Sequence, residues 1–312
     1  MNIIERYERE LKVIKGKSEN TITAYMKDID TFRRYYMKKN SFNSFDEALE
    51  KISYAELEDY TFYLIEQGYK KSSINRSINA LKSFFKYAER YIGKNVCKDI
   101  STFSNVETKK KDLITKEQVL KLLEATEKKE GRQTHFDYIS KRNKFIISLL
   151  ATSGLRAEEL LTIKKEKIID FGEYARVTID IHDNKTKLNK NVVICGITYN
   201  YYKEYLEEYK KKFNYNDDSY LILSGTGKKV NKKDTNKMLK KYAERIGMEE
   251  NLSNHCFRMF TNMALMSVGC PDTIRNKTLG WSDNNVGSNN YFHDDSVEAD
   301  KMKIKYVSKI LE

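Results

Sequence analysis

Apolar residues recur at intervals of three and four positions through the first hundred residues. Segment 18–37 has this spacing, with Thr21 placed as a helix cap. Segments 53–66 and 72–91 repeat it. Positions three and four apart share one face of an α-helix. The pattern therefore predicts a small all-helical domain over residues 1–98.

The periodicity stops at residues 99–112, which carry the consecutive lysines Lys109, Lys110 and Lys111. This composition predicts a basic linker. The lysine triplet either lies against a phosphate backbone or is simply solvated, and the sequence leaves both alternatives open. Beyond the linker we expect a second domain over residues 113–312.

The second domain is expected to contain helices and one hairpin. The apolar segment 143–152 predicts a helix that ends at Gly154. Alternating apolar residues at 177–181, a polar stretch, and an apolar run at 192–194 predict a β-hairpin whose lysine-bearing tip or flank is exposed. Aromatic residues over 202–213 have helical spacing and are expected to pack in the core. The fold class is therefore mainly α with a small β-sheet (α+β).

Composition narrows the class of protein. Among 312 residues, 57 Lys and Arg oppose 45 Asp and Glu, a formal charge of +12. This excess indicates a polyanionic partner, although Lys-rich composition also follows from an AT-biased genome. No apolar run reaches the roughly 18–20 residues of a membrane span, and no signal-peptide pattern opens the chain, so a soluble cytoplasmic protein is expected.

Cysteine and histidine are too sparse to indicate a metal or disulfide protein. The four cysteines show no paired spacing, which predicts buried free thiols. The four histidines have no spacing typical of metal ligands.

Three separated segments carry groups suited to phosphate chemistry. In Thr152–Leu160, Arg156 follows a helix-ending glycine, and Glu159 shares its helix face and is placed to orient it. In Asn254–Arg258, a histidine and an arginine lie one helical turn apart. Leu279–His293 ends on a tyrosine and a histidine. A tyrosine hydroxyl can attack the phosphorus of a phosphodiester, and fixed cations stabilise the pentavalent transition state that results.

Together these segments resemble the tyrosine recombinase (phage integrase) family. TSGLRAEEL matches the family's first arginine box, NHCFRMFTNMALMSVG its HxxR helix, and LGWSDNNVGSNNYFH its LGH…YxH terminus. SENTITAYMKDIDTF and SSINRSINALKSFFKYA resemble its helical core-binding (SAM-like) domain, and LITKEQVLKLLEAT the opening of its catalytic domain. The resemblance implies a simple-site, Xer-like two-domain enzyme with no further DNA-binding module before residue 1.

The resemblance also implies a role for each site residue. Arg156 and Arg258 would clamp the scissile phosphate, and His255 would be a donor or general acid/base partner. Tyr291 would be the nucleophile that forms a 3′-phosphotyrosyl bond. A hairpin lysine would protonate the leaving 5′-oxygen. The Lys-Thr pattern favours Lys185 for this role, while counting back from the following strand permits Lys185 or Lys187.

Two features depart from the family pattern. Trp281 replaces the family's second histidine; its indole N–H donates one hydrogen bond but cannot shuttle a proton, so this position would be a phosphate donor only. Tyr291 lies ten residues after Trp281, one more than is usual in the family. Among the late tyrosines, Tyr306 lies on an apolar helical stripe and is expected to pack.

Partners and assembly follow from the same resemblance. The two domains are expected to form a C-shaped clamp on double-stranded DNA recombination sites, without ATP or a metal cofactor. Four copies would act on two sites through a Holliday junction, and an accessory DNA-bending or directionality protein is a further expected partner. The amphipathic segment 297–311 would dock on a neighbouring subunit or pack on its own domain. Candidate DNA contacts in the first domain are Ser72, Ser73, Asn75 and Arg76, although Ser72 also fits a helix cap.

Integration or excision of a mobile element is the expected role, and the sequence does not distinguish it from dimer resolution or inversion of a DNA segment. Two alternatives to a recombinase also stay open. A type IB-like topoisomerase shares the chemistry, and a catalytically inactive DNA-binding protein shares the fold.

Overall fold

The computed structural model describes residues 1–104, 113–129, 134–180, 190–213, 219–248, 252–281 and 296–312. The chain divides into two compact units, residues 1–109 and 110–312. Each unit has its own hydrophobic core. Among the described residues, no helix is both long and apolar enough to cross a membrane.

The regular elements described in the first unit are all helical. A π-helical segment, Glu10–Ile14, continues its first helix. The helices are α1 (Ile3–Arg9), α2 (Glu19–Lys39), α3 (Phe45–Lys51), α4 (Tyr54–Glu66) and α5 (Lys71–Ile92).

Helix caps in the first unit differ in part from those predicted. Ser18 caps α2 by accepting a hydrogen bond from the Thr21 backbone N–H, so the prediction of Thr21 as the cap is wrong. The cap of α5 is Lys70, so Ser72 lies inside the helix and the alternative that made it the cap is also wrong. In both places a residue slightly earlier in the chain adopts the extended conformation that a cap requires.

Aromatic side chains fill the core of the first unit. Phe32 lies against several rings, including those of Tyr60 and Phe85 in edge-on geometry at centroid distances of 5.0 and 6.1 Å. Edge-to-face pairs of this kind add stability beyond their buried area. The spacing of three and four that predicts these helices therefore reflects one shared core.

The second unit combines helices with one sheet. Its helices are α6 (Lys116–Ala125), α7 (Phe136–Ser153), α8 (Ala157–Thr162), α9 (Ile197–Lys212), α10 (Lys232–Arg245), α11 (Asn254–Ser267), α12 (Asp272–Leu279) and α13 (Val297–Val307). Short 3₁₀ turns occupy Lys165–Lys167 and Ser308–Ile310. The strands are β1 (Ile168–Asp170), β2 (Ala175–Ile179) and β3 (Lys190–Ile194).

The sheet is antiparallel, in the order β1-β2-β3. Its register pairs Val177 with Ile168 on one side and with Val192 on the other. All five residues of β3 are buried, because α7, α9, α12 and α13 pack against this strand. The predicted strand pair is confirmed, and the hairpin tip at 181–189 lies outside the described residues.

Helix α7 runs through the core of the second unit. It begins earlier than the predicted apolar segment and ends, as predicted, at Gly154. The aromatic stripe of α9 packs against it: the Phe145 and Tyr205 rings stack at 5.6 Å. All four cysteines are buried and free, as the sequence predicts.

Candidate active site

The turn after α7 brings three helices close together. Gly154 has a left-handed backbone (φ 57°). A Cβ atom at this position would lie 2.5 Å from Leu279 Cδ2 and 3.3 Å from Thr261 Cβ. Only glycine satisfies both constraints. The turn lets α11 and α12 approach the end of α7 and sets Arg156 as the cap of α8.

Arg156 is held by a buried carboxylate. Glu159 Oε2 accepts the Arg156 backbone N–H at 3.0 Å, and Oε1 accepts its Nη1 at 2.5 Å. The Glu159 side chain is 1% exposed, whereas that of Arg156 is 28% exposed. Burial raises the pKa of Glu159, but the charge of Lys190 and the Arg156 donors outweigh this effect, so the pKa is lowered overall. Arg156 is thus fixed on one side and open to solvent on the other.

Arg258 reaches the same turn from α11. Its Nη1 donates a hydrogen bond of 2.8 Å to the Gly154 carbonyl, two residues before Arg156. Its Nη2 is buried and has no hydrogen-bond partner within the described ranges. Burial, and then the charge of Arg156, lower the pKa of Arg258 to about 10, which leaves it charged at neutral pH. Two guanidinium groups therefore share one small region.

Trp281 contacts Arg258 in space, and His255 lies three residues before Arg258 on α11. Helix α12 ends on Gly280, whose backbone is left-handed, and the Trp281 backbone N–H donates to the Asn276 carbonyl. The Trp281 ring centroid is 5.6 Å from the Arg258 guanidinium, within cation–π range. His255 is exposed in the first turn of α11. The three motifs thus contribute Arg156, Arg258 and Trp281 to one site.

One further cation, Lys190, was not among the candidates from the sequence. This first residue of β3 places its Nζ 3.7 Å from Glu159 Oε2, and its side chain is 5% exposed. Desolvation by burial lowers its pKa to about 7, against the opposing charge of Glu159. The sequence signal is weak, because a lysine that opens a strand after a polar stretch normally lies at the surface.

Several predicted residues lie outside the described part of the chain. These are Lys109, Lys110, Lys111, Lys185, Lys187 and Tyr291. Their roles stay predictions.

The candidate DNA contacts on α5 have intramolecular partners in part. Arg76 makes a two-pronged hydrogen bond with the buried carboxylate of Asp28, at 2.8 and 2.9 Å. The Asn75 amide donates to the Phe103 carbonyl and accepts its N–H. Ser72 is exposed and Ser73 is half-buried. Asn75 and Arg76 therefore stabilise the unit itself, whatever else they contact.

The described site suits a phosphoryl group. Arg156, Arg258 and Lys190 are basic, and Glu159 is the carboxylate that the structure describes among them. Guanidinium groups match the geometry of phosphate oxygens. Among the described residues, no cluster of three His, Cys, Asp or Glu side chains is arranged to hold a metal ion. The arrangement can bind and stabilise an anionic tetrahedral or pentavalent centre.

Comparison with known proteins agrees with this geometry. The family model for the phage integrase family matches residues 112–298, and the model for the phage integrase N-terminal SAM-like domain matches residues 4–91. A curated relative, tyrosine recombinase XerC of Herpetosiphon aurantiacus, is 28% identical over 265 residues, covering 82% of this chain and 78% of the relative.

Solved structures share the fold. The XerH site-specific recombinase bound to palindromic difH substrate, in a post-cleavage complex, aligns with a TM-score of 0.68 and 21% identity over 96% of this chain and 83% of that one. A lambda integrase tetramer bound to a Holliday junction aligns with a TM-score of 0.65 and 18% identity, over 95% of this chain and 79% of that one. With the family model matched across most of the second unit and the arginine site in place, the chain belongs to the phage integrase family and is a tyrosine-type site-specific recombinase.

Proposed function

We propose that this protein cleaves and rejoins double-stranded DNA at specific sites through a 3′-phosphotyrosyl intermediate on Tyr291, and that it integrates or excises a mobile element. The observation that supports the proposal most directly is the convergence of two arginines on the Gly154 turn. Glu159 holds Arg156 through its backbone N–H and its Nη1, and the Gly154 carbonyl accepts a hydrogen bond from Arg258 Nη1.

The electrostatics favour a phosphodiester as the group bound there. Arg258 Nη2 is buried and lacks a protein acceptor in the described structure. Leaving a buried charged donor unpaired costs free energy, and an anionic oxygen beside it removes that cost. Because a phosphodiester carries one negative charge, it also offsets the excess of cations over carboxylates. These are the requirements of a preorganised transition-state site.

In the proposed chemical step one P–O bond forms for each P–O bond that breaks. The Tyr291 hydroxyl oxygen attacks phosphorus and loses its proton to His255 or to water. The P–O5′ bond breaks as the P–O(Tyr) bond forms, and the hairpin lysine, Lys185 or Lys187, gives a proton to the leaving 5′-oxygen. Arg156 and Arg258 neutralise the equatorial oxygens. In religation a 5′-hydroxyl attacks the phosphotyrosine and the same groups exchange protons in reverse.

We further propose that four copies exchange strands between two DNA sites through a Holliday junction, with α13 docked on a neighbouring copy. In the single chain this helix packs on its own unit. Arg176 Nε donates to Asp300 Oδ2 at 2.8 Å, and Lys303 Nζ donates to the Asn191 carbonyl at 2.7 Å. Both Asp300 and Lys303 are fully buried. The α13 helix of a neighbouring copy could make the same contacts with Arg176 and Asn191 in place of the chain's own helix.

A plasmid assay distinguishes the proposed reaction from relaxation alone. Supercoiled plasmids carry either one or two copies of DNA from the flanks of the gene, and each is incubated with wild-type protein. The proposal predicts rearranged plasmid only when two copies are present. Relaxation of the one-site plasmid with no rearrangement of the two-site plasmid would indicate a topoisomerase. Binding without any strand breakage would indicate an inactive DNA-binding protein.

A further inference from the structure

We propose that Lys190 is a positioning residue of the phosphate site: its buried amine fixes the Glu159 carboxylate that orients Arg156, and its aliphatic chain supports the Gly280 turn that carries Trp281. The inference rests on the proposed function of that site. It assigns Lys190 a role distinct from the proton donor expected in the hairpin, because the donor must touch the leaving oxygen and Lys190 contacts Glu159.

The Glu159 carboxylate needs a buried counter-charge. Its side chain is 1% exposed, and Arg156, its hydrogen-bonded partner, is partly in solvent. Lys190 Nζ lies 3.7 Å from Glu159 Oε2, which is an ion-pair distance and longer than a hydrogen bond. Lys190 therefore stabilises the carboxylate charge without occupying the lone pairs that hold Arg156. Removing one partner of a buried pair leaves the other charge uncompensated.

The same side chain supports the Trp281 turn. A Cβ atom on Gly280 would lie 3.1 Å from Lys190 Cδ, 3.6 Å from its Cε and 3.7 Å from its Nζ. The lysine side chain thus lies beside the Gly280 turn, in the direction that a side chain on Gly280 would take. Since Trp281 follows Gly280 and faces Arg258, Lys190 contacts the supports of both halves of the site.

The charge of Lys190 is sensitive to its surroundings. Burial lowers its pKa to about 7, Glu159 opposes this shift, and the cations Arg258, Arg156 and Lys303 add to it. A phosphodiester bound beside the arginines adds a negative charge and raises this pKa. Substrate binding therefore favours the protonated lysine. Above a pH of about 7, Lys190 is mostly neutral in the free protein and must take up a proton when DNA binds. The stabilisation that the Lys190 charge gives to Glu159 is therefore weaker at high pH.

The test uses Lys190→Met, which removes the charge but keeps the aliphatic chain beneath Gly280. The matched control is Lys165→Met, since Lys165 is another buried lysine of the same unit, with its Nζ 4.5 Å from the Tyr209 ring centroid. Single-turnover cleavage of nicked DNA and DNA affinity are measured from about pH 6 to pH 9.5. Misplacing Arg156 is expected to slow cleavage by roughly 10–10²-fold, with little change in affinity.

The pH profile separates positioning from a general loss of stability. The wild-type rate should exceed the Lys190→Met rate most at low pH, and the ratio should fall as wild-type Lys190 loses its proton. The control should keep the wild-type profile. Equal rates for wild type and Lys190→Met, with wild-type cleavage intact, would overturn the role of Lys190 and leave the proposed function standing.

An NMR measurement on the free protein tests the role of Lys190 even if the wild-type protein does not cleave the DNA used. Protein labelled with ¹⁵N-arginine gives an Arg156 Nε–H signal, assigned by its loss in Arg156→Lys. That signal should shift and broaden in Lys190→Met and stay unchanged in Lys165→Met. An unchanged signal in Lys190→Met would overturn the proposal whatever the outcome of the cleavage assay.

Discussion

Arg156 and Arg258 are fixed by different parts of the chain, yet both depend on the turn at Gly154. Arg156 follows that turn and is held by Glu159, while Arg258 donates to the Gly154 carbonyl from a helix about a hundred residues later. Preorganised donors stabilise a transition state because they need no rearrangement when charge develops.

Replacing Arg156 with Ala should remove one such donor. We expect a loss of about 2.7–4 kcal/mol in transition-state stabilisation, a factor of roughly 10²–10³ in the cleavage rate. Single-turnover kinetics on nicked DNA give the rate, and Arg156→Lys serves as the control, because it keeps a charge and loses the two-pronged geometry. The lysine variant should fall between wild type and alanine. Wild-type cleavage by the alanine variant would exclude Arg156 from the site.

At this scale Arg156, Glu159, Arg258 and Trp281 are predicted from the three sequence motifs taken together, and the roles of Arg156, Arg258 and Trp281 follow from the family resemblance. The sequence does not predict Lys190. A lysine beside a polar hairpin is normally exposed, and here it is buried because helices from other parts of the chain, α12 and α13 among them, pack on β3. Burial created by distant helices leaves no local signal.

At the scale of the elements, most of the site is built from residues at the ends of helices. Helix α7 ends at Gly154, α8 begins after Arg156, and α12 ends at Gly280. The sequence predicts the first of these ends, since glycine marks a left-handed helix terminus. It misplaces the cap of α2 because Ser18 and Thr21 are both residues that cap helices, and the structure places the extended backbone that a cap requires at Ser18.

Gly154→Ala should destabilise the second unit through two effects. The left-handed backbone costs a non-glycine residue about 1–2 kcal/mol. The added Cβ also collides with Leu279 Cδ2, and overpacking of this kind costs roughly 1–3 kcal/mol more. Urea unfolding measures the total. Gly269→Ala is the matched control, because Gly269 has φ 71° and nothing lies within 4 Å of its Cβ position.

The two substitutions should therefore differ by the overpacking contribution. A larger loss for Gly154→Ala, accompanied by weaker cleavage, would agree with the close approach of α11 and α12 to this turn. Equal losses for the two variants would contradict that close approach.

For the whole molecule, the sequence predicts two domains and the helical nature of the first, because periodicity is strong in each segment. The sequence leaves open whether α13 packs on its own chain or on a neighbouring copy. Tyr174 and Arg176 contact Asp300 within one chain, and sequence pattern cannot distinguish these contacts from the same contacts between copies.

A charge exchange tests the docking of α13 between copies. Arg176→Asp and Asp300→Arg are made in separate chains, and each alone should assemble poorly on DNA because like charges meet in a buried contact. Mixing the two chains should restore recombination if α13 docks on a neighbour, since alternating copies then match at every interface. The double variant in one chain is the folding control. Failure of the mixture, with an active double variant, would show that the helix stays on its own chain.

Covalent capture of DNA on Tyr291 tests the central claim most directly. Wild-type protein, Tyr291→Phe and Tyr306→Phe are each incubated with nicked DNA from the flanks of the gene, denatured, digested and mapped by mass spectrometry. We predict a nucleotide adduct on the peptide that contains Tyr291 in wild type and in Tyr306→Phe, and no adduct in Tyr291→Phe, which should still bind the DNA. An adduct that persists in Tyr291→Phe, or one that maps to another residue, would contradict the account.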